Sequence, residues 1–270
     1  MTDAALLQLN AVSKRFGQVV VADGLSFSVA AGATLGIVGP NGAGKTSLFG
    51  MISGDLPVDS GDIEFDGRSV VGIGTAQRCR LGITRTFQVP RPFDGLTVFE
   101  NVLVAAQQGG GLRRAAAVDA ALAALAETGL ADRANMMAGQ LGLLSRKRLE
   151  VARGLSTQPR LLLLDEVAGG LTDPEVAELV AIVRRINSAG IAVVWIEHVV
   201  RALVSTVDRL ICLALGKLIA DGNPRDVLGR QEVKELFLGT ESAIAGDRPE
   251  RGSESEPVSL QVIDPVGGTP

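Results

Sequence analysis

The run Gly39-Pro40-Asn41-Gly42-Ala43-Gly44-Lys45-Thr46-Ser47 fits the spacing G-x-x-x-x-G-K-[ST], which suits a chain of phosphates. Its glycines let the backbone wrap closely, so that successive N–H groups point inward at anionic oxygens. Lys45 would neutralise charge on the β- and γ-phosphates, and the Thr46 hydroxyl would ligate Mg²⁺. The expectation is a site for a nucleoside triphosphate with Mg²⁺.

Two further clusters carry chemistry. Asp165-Glu166 closes the apolar run Leu161-Leu162-Leu163-Leu164, which places two carboxylates at the end of a buried strand. One can support hydrated Mg²⁺, and the other can orient or deprotonate an attacking water. His198, the only histidine, follows the run Ile191 to Ile196 and Glu197. At a strand end in the same sheet it is placed to hydrogen-bond the γ-phosphate; otherwise a lone histidine is a satisfied core or surface residue. Gln88 lies in Arg85-Thr86-Phe87-Gln88, before the Pro90 and Pro92 connector. Taken alone it reads as a solvated loop amide that could also reach Mg²⁺ or water. Phe16 either lies near the adenine or packs a turn.

The elements that must position these groups follow from periodicity. Residues 34–38 form a short apolar strand, and residues 45–51 open a helix whose N-terminus faces the nucleotide. Residues 6–12 and 19–29 read as strands, the second alternating in Leu25-Ser26-Phe27-Ser28-Val29. Residues 62–65 form a strand that ends in the Asp66-Gly67 turn. Residues 209–215 and 217–220 form a hairpin across Gly216. Helices are expected over 96–106 and 115–126, separated by Gly109-Gly110-Gly111, with Val118, Leu122 and Leu125 on one apolar face. The fold class is α/β. Its resemblance to P-loop NTPases implies a core with a parallel sheet, carrying an N-terminal antiparallel β-subdomain and an inserted α-helical subdomain at about 89–155, within a unit spanning 1–240.

With 270 residues, 46% of them hydrophobic, the chain can bury a substantial core. A net charge of −4 argues against broad nucleic-acid binding, which leaves a basic footprint. Cys79 and Cys212 lack metal-ligand spacing and suit a reducing compartment. Thr2-Asp3 opens no basic-then-apolar secretory signal, and no apolar run is long enough to span a bilayer. From 241 onward Gly, Pro, Ser, Asp and Glu dominate, so 241–270 is expected to be a disordered tail.

Taken in order, these blocks resemble the ATP-binding subunits of ABC transporters over about residues 6–239, and most of all those of bacterial branched-chain amino acid importers. Besides the phosphate loop, the resemblance rests on Arg85-Thr86-Phe87-Gln88 (the Q-loop), Leu96-Thr97-Val98-Phe99-Glu100-Asn101-Val102 and Lys147-Arg148-Leu149-Glu150-Val151-Ala152-Arg153. It continues in Leu163-Leu164-Asp165-Glu166, Ala168-Gly169-Gly170-Leu171 and Ile196-Glu197-His198 (the H-loop). It implies that Phe16 stacks near adenine, Gly39 to Ser47 hold the phosphates and Asp165 supports Mg²⁺. It also implies that Gln88 senses Mg²⁺ and the membrane partner, Glu166 is the general base, and His198 contacts the γ-phosphate and the water. Family members act as head-to-tail dimers on two integral membrane permeases, fed by a solute-binding protein. That implies a cytoplasmic subunit, peripheral on the inner or plasma membrane.

The chain departs from the family where a Leu-Ser-Gly-Gly-Gln signature would stand. It reads Leu141-Gly142-Leu143-Leu144-Ser145, with glycine in place of serine and Leu144 in place of the second glycine. Val167 replaces the usual proline, and Thr172 stands at the D-loop aspartate position, beside Asp173. The altered signature leaves room for a degenerate, regulatory nucleotide-binding subunit. An ABC-type ATPase of DNA repair or translation fits worse, because no coiled-coil insertion or second cassette is present.

Overall fold

A computed structural model describes residues 5–237; the expected tail at 241–270 and the Thr2-Asp3 start lie outside the described residues. The chain opens with β1 (Ala5–Phe16) and β2 (Val19–Ala30), and β3 (Thr34–Val38) then feeds α1 (Lys45–Ser53). A hairpin, β4 (Ser60–Phe65) and β5 (Arg68–Ser69), precedes α2 (Thr75–Leu81) and β6 (Ile83–Arg85). Next come α3 (Val98–Val104), prolonged by a π-helical turn over Ala105–Gly109, then α4 (Arg114–Glu127) and α5 (Leu143–Ser156). The rest runs β7 (Leu161–Asp165), α6 (Asp173–Ser188), β8 (Ala192–Ile196), α7 (Val200–Val204), β9 (Arg209–Ala214), β10 (Lys217–Gly222) and α8 (Pro224–Gly229).

The strands build two sheets. The first has the order β2-β1-β4-β5, with every neighbouring pair antiparallel. Its hairpin turns on Asp66 and Gly67, both at positive φ, as a two-residue loop with matching twist requires. The second has the order β10-β9-β3-β8-β7-β6, parallel throughout except for β10. Strands β3, β7 and β8 are buried along their whole length, which explains their apolar runs, with polar residues only at two strand ends, Thr34 and Asp165.

Side-chain alternation divides the interior. Leu161, Leu163, Val194 and Ile196 face the antiparallel sheet and α1, joining Leu7, Leu9, Phe49 and Ile52. Leu162, Leu164, Val193 and Trp195 face α6, where Leu179, Val183 and Ile186 meet them. A third cluster, with Val98, Val102, Ala121, Leu125, Leu149 and Ala152, is buried among α3, α4 and α5.

Two helix expectations need correction. On α4 the buried positions are Ala117, Ala121, Ala124 and Leu125, while Val118 and Leu122 are 36% and 50% exposed. The alanine stripe, lacking bulk, is the side that packs against α3 and α5. The preceding helix begins at Val98 rather than Leu96, because Thr97 and Glu100 form a complete capping box. It also runs past Ala106 through a π turn, so the break starts only at Gly110.

Candidate functional site

β3 delivers the chain to the phosphate loop and α1 carries it away. Gly39 and Gly44 sit at φ 154° and 96°, and a Cβ on either would lie 2.1 Å from a backbone oxygen, of Leu213 and Val21 respectively. No other residue fits there without moving β9 or β2. The loop encloses a cavity of about 410 Å³ whose wall consists of residues 41–47 with Val19, Val21, Gln88 and Glu166. Lys45 is buried, and its ammonium donates to the Gly39 oxygen at 2.8 Å and the Pro40 oxygen at 3.0 Å. Burial pushes its pKa down, while Glu166, Asp165 and Cys212 oppose the shift electrostatically.

The C-terminal ends of β6, β7 and β8 converge on this cavity, as neighbouring parallel strands must. Glu166, one residue past β7, holds φ 48° and donates its N–H to the Ile196 oxygen at 2.9 Å. That left-handed backbone is uncommon for glutamate and turns the side chain toward the loop. Its carboxylate is held from two sides. The Gln88 amide donates to Oε2, and His198 Nε2 lies 2.6 Å from Oε1.

Asp165 is 1% exposed. Its Oδ2 accepts from Arg85 Nη2 at 2.7 Å, whereas its Oδ1 is buried and has no protein partner. Burial pushes this carboxyl above its ordinary range, with Arg85 pulling the other way. An orphaned carboxylate oxygen beside a phosphate loop suits a hydrated Mg²⁺, which keeps waters and leans on one or two protein oxygens plus phosphate. Among the described residues no group of three or more His, Cys, Asp or Glu could hold a metal unaided. Thr46 and Asp165, with Gln88 at the cavity wall, fit an ion that arrives with its nucleotide.

Of the residues expected at the site, Asn41, Gly42, Ala43, Gly44, Lys45, Thr46, Ser47, Gln88 and Glu166 line the cavity. Gly39, Pro40, Asp165 and His198 are outside the lining; the Gly39 and Pro40 oxygens accept from Lys45, and His198 reaches the wall through Glu166. Phe16 ends β1 outside the wall, 51% exposed, with the Lys14 ammonium 5.5 Å from its ring; its register partner, Val19, does line the cavity. Sequence reasoning missed Val19, Val21 and Arg85. Alternation in β2 could have flagged the valines, but nothing local marks Arg85 as the counter-ion of Asp165. Glu197 was also missed: buried, it accepts from the N–H groups of Ala168 at 2.6 Å and His198 at 3.2 Å, tying one strand end to the other.

The altered signature lies at the start of α5. Gly142 is the N-cap, at φ −69°, with no side-chain cap and no atom within 4 Å of where a Cβ would be. Leu143 stands 46% exposed at the helix N-terminus.

Comparison with known proteins agrees with this arrangement. The family described as "ABC transporter" matches residues 22–169, just over half of the chain. The high-affinity branched-chain amino acid transport ATP-binding protein BraF of Pseudomonas aeruginosa is 33% identical over 249 residues, covering 87% of this chain and 98% of its own. LivG of Salmonella typhimurium, which carries the same description, is 34% identical over the same shares of each chain. Among solved structures, the ADP conformation of MJ1267, an ATP-binding cassette of an ABC transporter, superposes with TM-score 0.80 at 28% identity, covering 87% of this chain and 99% of that one. The chain belongs to the ABC transporter family, as an ATP-binding and ATP-hydrolysing subunit.

Proposed function

We propose that this subunit powers an importer of branched-chain or chemically related amino acids, with Glu166 as the base of its ATPase reaction. The observation that carries the catalytic part is the Glu166 carboxylate, aimed at the phosphate-loop cavity and fixed by Gln88 and His198. The solute and the direction of transport rest on the printed descriptions of BraF and LivG.

In this reading, residues 39–47 cradle the phosphates and Lys45 leaves the loop carbonyls to meet the β- and γ-oxygens. Thr46 and Asp165 hold Mg²⁺, assisted by Gln88; when bound, the ion neutralises charge on the phosphate oxygens. Glu166 takes a proton from the attacking water, and His198 keeps that carboxylate oriented while its ring reaches the γ-phosphate. Phe16 lies at the mouth of the site, near the adenine. Among the described residues no helix is long and apolar enough to cross a membrane. In this reading the subunit docks, through the Gln88 connector and the helical unit at about 89–155, on separate permease subunits. It does so from the cytoplasmic face, with a solute-binding protein on the far side and no nucleic acid involved.

Leu143 and Leu144 favour a second ATPase partner of different sequence. This chain's phosphate loop, Glu166 and His198 complete one site with that partner, and the altered α5 start serves the other. The test is Glu166→Gln in the transporter isolated through a tag on this chain. ATP should still bind while turnover falls by about 10²-fold or more. Turnover that ignores Glu166 would make the chain a regulatory half.

A further inference from the structure

The described contacts place one buried cation where the helical layer meets the catalytic backbone. Lys147, on α5, is 4% exposed. Its ammonium donates to the main-chain oxygen of Gln88 at 2.8 Å and to that of Glu166 at 3.2 Å. These residues lie 78 positions apart in sequence, and their side chains meet at the cavity wall. The same face of α5 holds the connector at two more points. The Glu150 carboxylate accepts from the Phe87 N–H at 3.3 Å, and Arg153 donates to the Arg91 oxygen at 3.0 Å. Positions 147, 150 and 153 recur every three residues, so they share one helix face.

We propose that Lys147 is a positioning residue of the ATPase reaction: by gripping both carbonyls at once, it sets where the Gln88 amide and the Glu166 carboxylate stand relative to the phosphate loop. This rests on the reading of Glu166 as the base. The energetics favour a positional role over simple packing. A lysine taken out of water loses hydration that two neutral carbonyls only partly replace, and an apolar side chain of similar volume would fill the space at less cost. Burial accordingly pushes the Lys147 pKa down, against the fields of Glu197, Glu166, Glu150 and Asp165. What the ammonium provides, and a methyl group cannot, is two directed bonds converging from Gln88 and Glu166. Any displacement of α5 against the sheet is passed to both residues together. Catalytic groups are sensitive to such shifts, since about 1 Å of misplacement can cost about 10²-fold in rate.

The test compares Lys147→Met, Lys147→Arg and Glu166→Gln in the intact transporter, isolated through a tag on this chain. Turnover is measured against ATP concentration, and nucleotide binding with trinitrophenyl-ATP. For Lys147→Met, kcat should fall about tenfold to 10²-fold, with KM, probe affinity and melting temperature close to wild type. Lys147→Arg, which keeps two donors, should recover most of the rate. If Lys147→Met does not assemble, Lys147→Gln reads the same split between kcat and KM. The proposal is overturned if Lys147→Met keeps the wild-type kcat while Glu166→Gln is inactive. It also falls if kcat, probe affinity and melting temperature decline together and arginine rescues none of them. Should Glu166→Gln itself stay active, the base assignment fails and Lys147 has nothing to position.

Discussion

His198 Nε2 lies 2.6 Å from Glu166 Oε1, joining the ends of two neighbouring parallel strands across the floor of the phosphate-loop cavity. Gln88 holds the other carboxylate oxygen. Glu166 is thus fixed by one partner from each flanking side, and its left-handed backbone is retained because the Ile196 carbonyl accepts its N–H.

Groups that act through one carboxylate do not contribute independently. His198→Ala should lower kcat about 10²-fold while leaving ATP binding near wild type, and the double variant with Glu166→Gln should be no slower than the worse single. Steady-state turnover of the three variants decides this. Losses that multiply would show that His198 works apart from Glu166.

Arg85 and Asp165 form an ion pair at 2.7 Å with side chains 11% and 2% exposed. Removing one member leaves the other charged and dry. Arg85→Gln should therefore cost about 3–5 kcal/mol of stability, whereas Arg85→Gln with Asp165→Asn should cost distinctly less. Denaturant titration of both variants measures the difference. Equal losses would mean that Arg85 contributes packing rather than charge.

Neither of these relationships is local in sequence. The phosphate loop was legible because its backbone demands are local: Gly39 and Gly44 hold φ of 154° and 96°, which glycine alone adopts readily. β7 and β8 were legible because strands covered on both faces carry continuous apolar runs, Leu161 to Leu164 and Ala192 to Ile196. Arg85, by contrast, stands 80 residues from Asp165, and only the β6–β7 pairing brings them together. The buried side of α4 was misjudged for a different reason. Of the expected face Val118, Leu122 and Leu125, only Leu125 is buried, and it packs beside Ala117, Ala121 and Ala124. A close helix contact selects for small size, which a hydrophobicity pattern does not register.

Glu197 supplies a dependence on pH. Burial pushes its carboxyl above the ordinary value, although N–H groups of Ala168, Val199 and His198 pull it down. The folded state then binds a proton that the unfolded state has released, so this group's contribution to stability is present below 4.5 and is lost as pH rises through its raised folded value. Glu197→Gln removes that ionisation. In urea unfolding between about pH 5 and about pH 7, the variant should lose less stability than the wild type. An equal or steeper loss in the variant would refute the assignment.

The α5 start bears directly on how the assembly is built. Gly142 has ordinary φ and open space around it, so a serine there can cap the helix without displacing anything and contribute a few tenths of a kcal/mol over glycine. Leu144→Gly removes a side chain from a helix N-terminus, where N–H groups favour anions but only at close range. If the altered signature is what limits a site formed by two copies of this chain, Gly142→Ser with Leu144→Gly should raise ATP turnover of the purified chain alone. If the transporter pairs this chain with an unlike ATPase subunit, as proposed, the gain there should be smaller, because the site built on this chain's phosphate loop, Glu166 and His198 would face that partner's own helix. Turnover measured against protein concentration separates the two cases. A wild-type homodimer as fast as the isolated transporter would remove the need for an unlike partner, and Leu143 and Leu144 would then be tolerated at a working site.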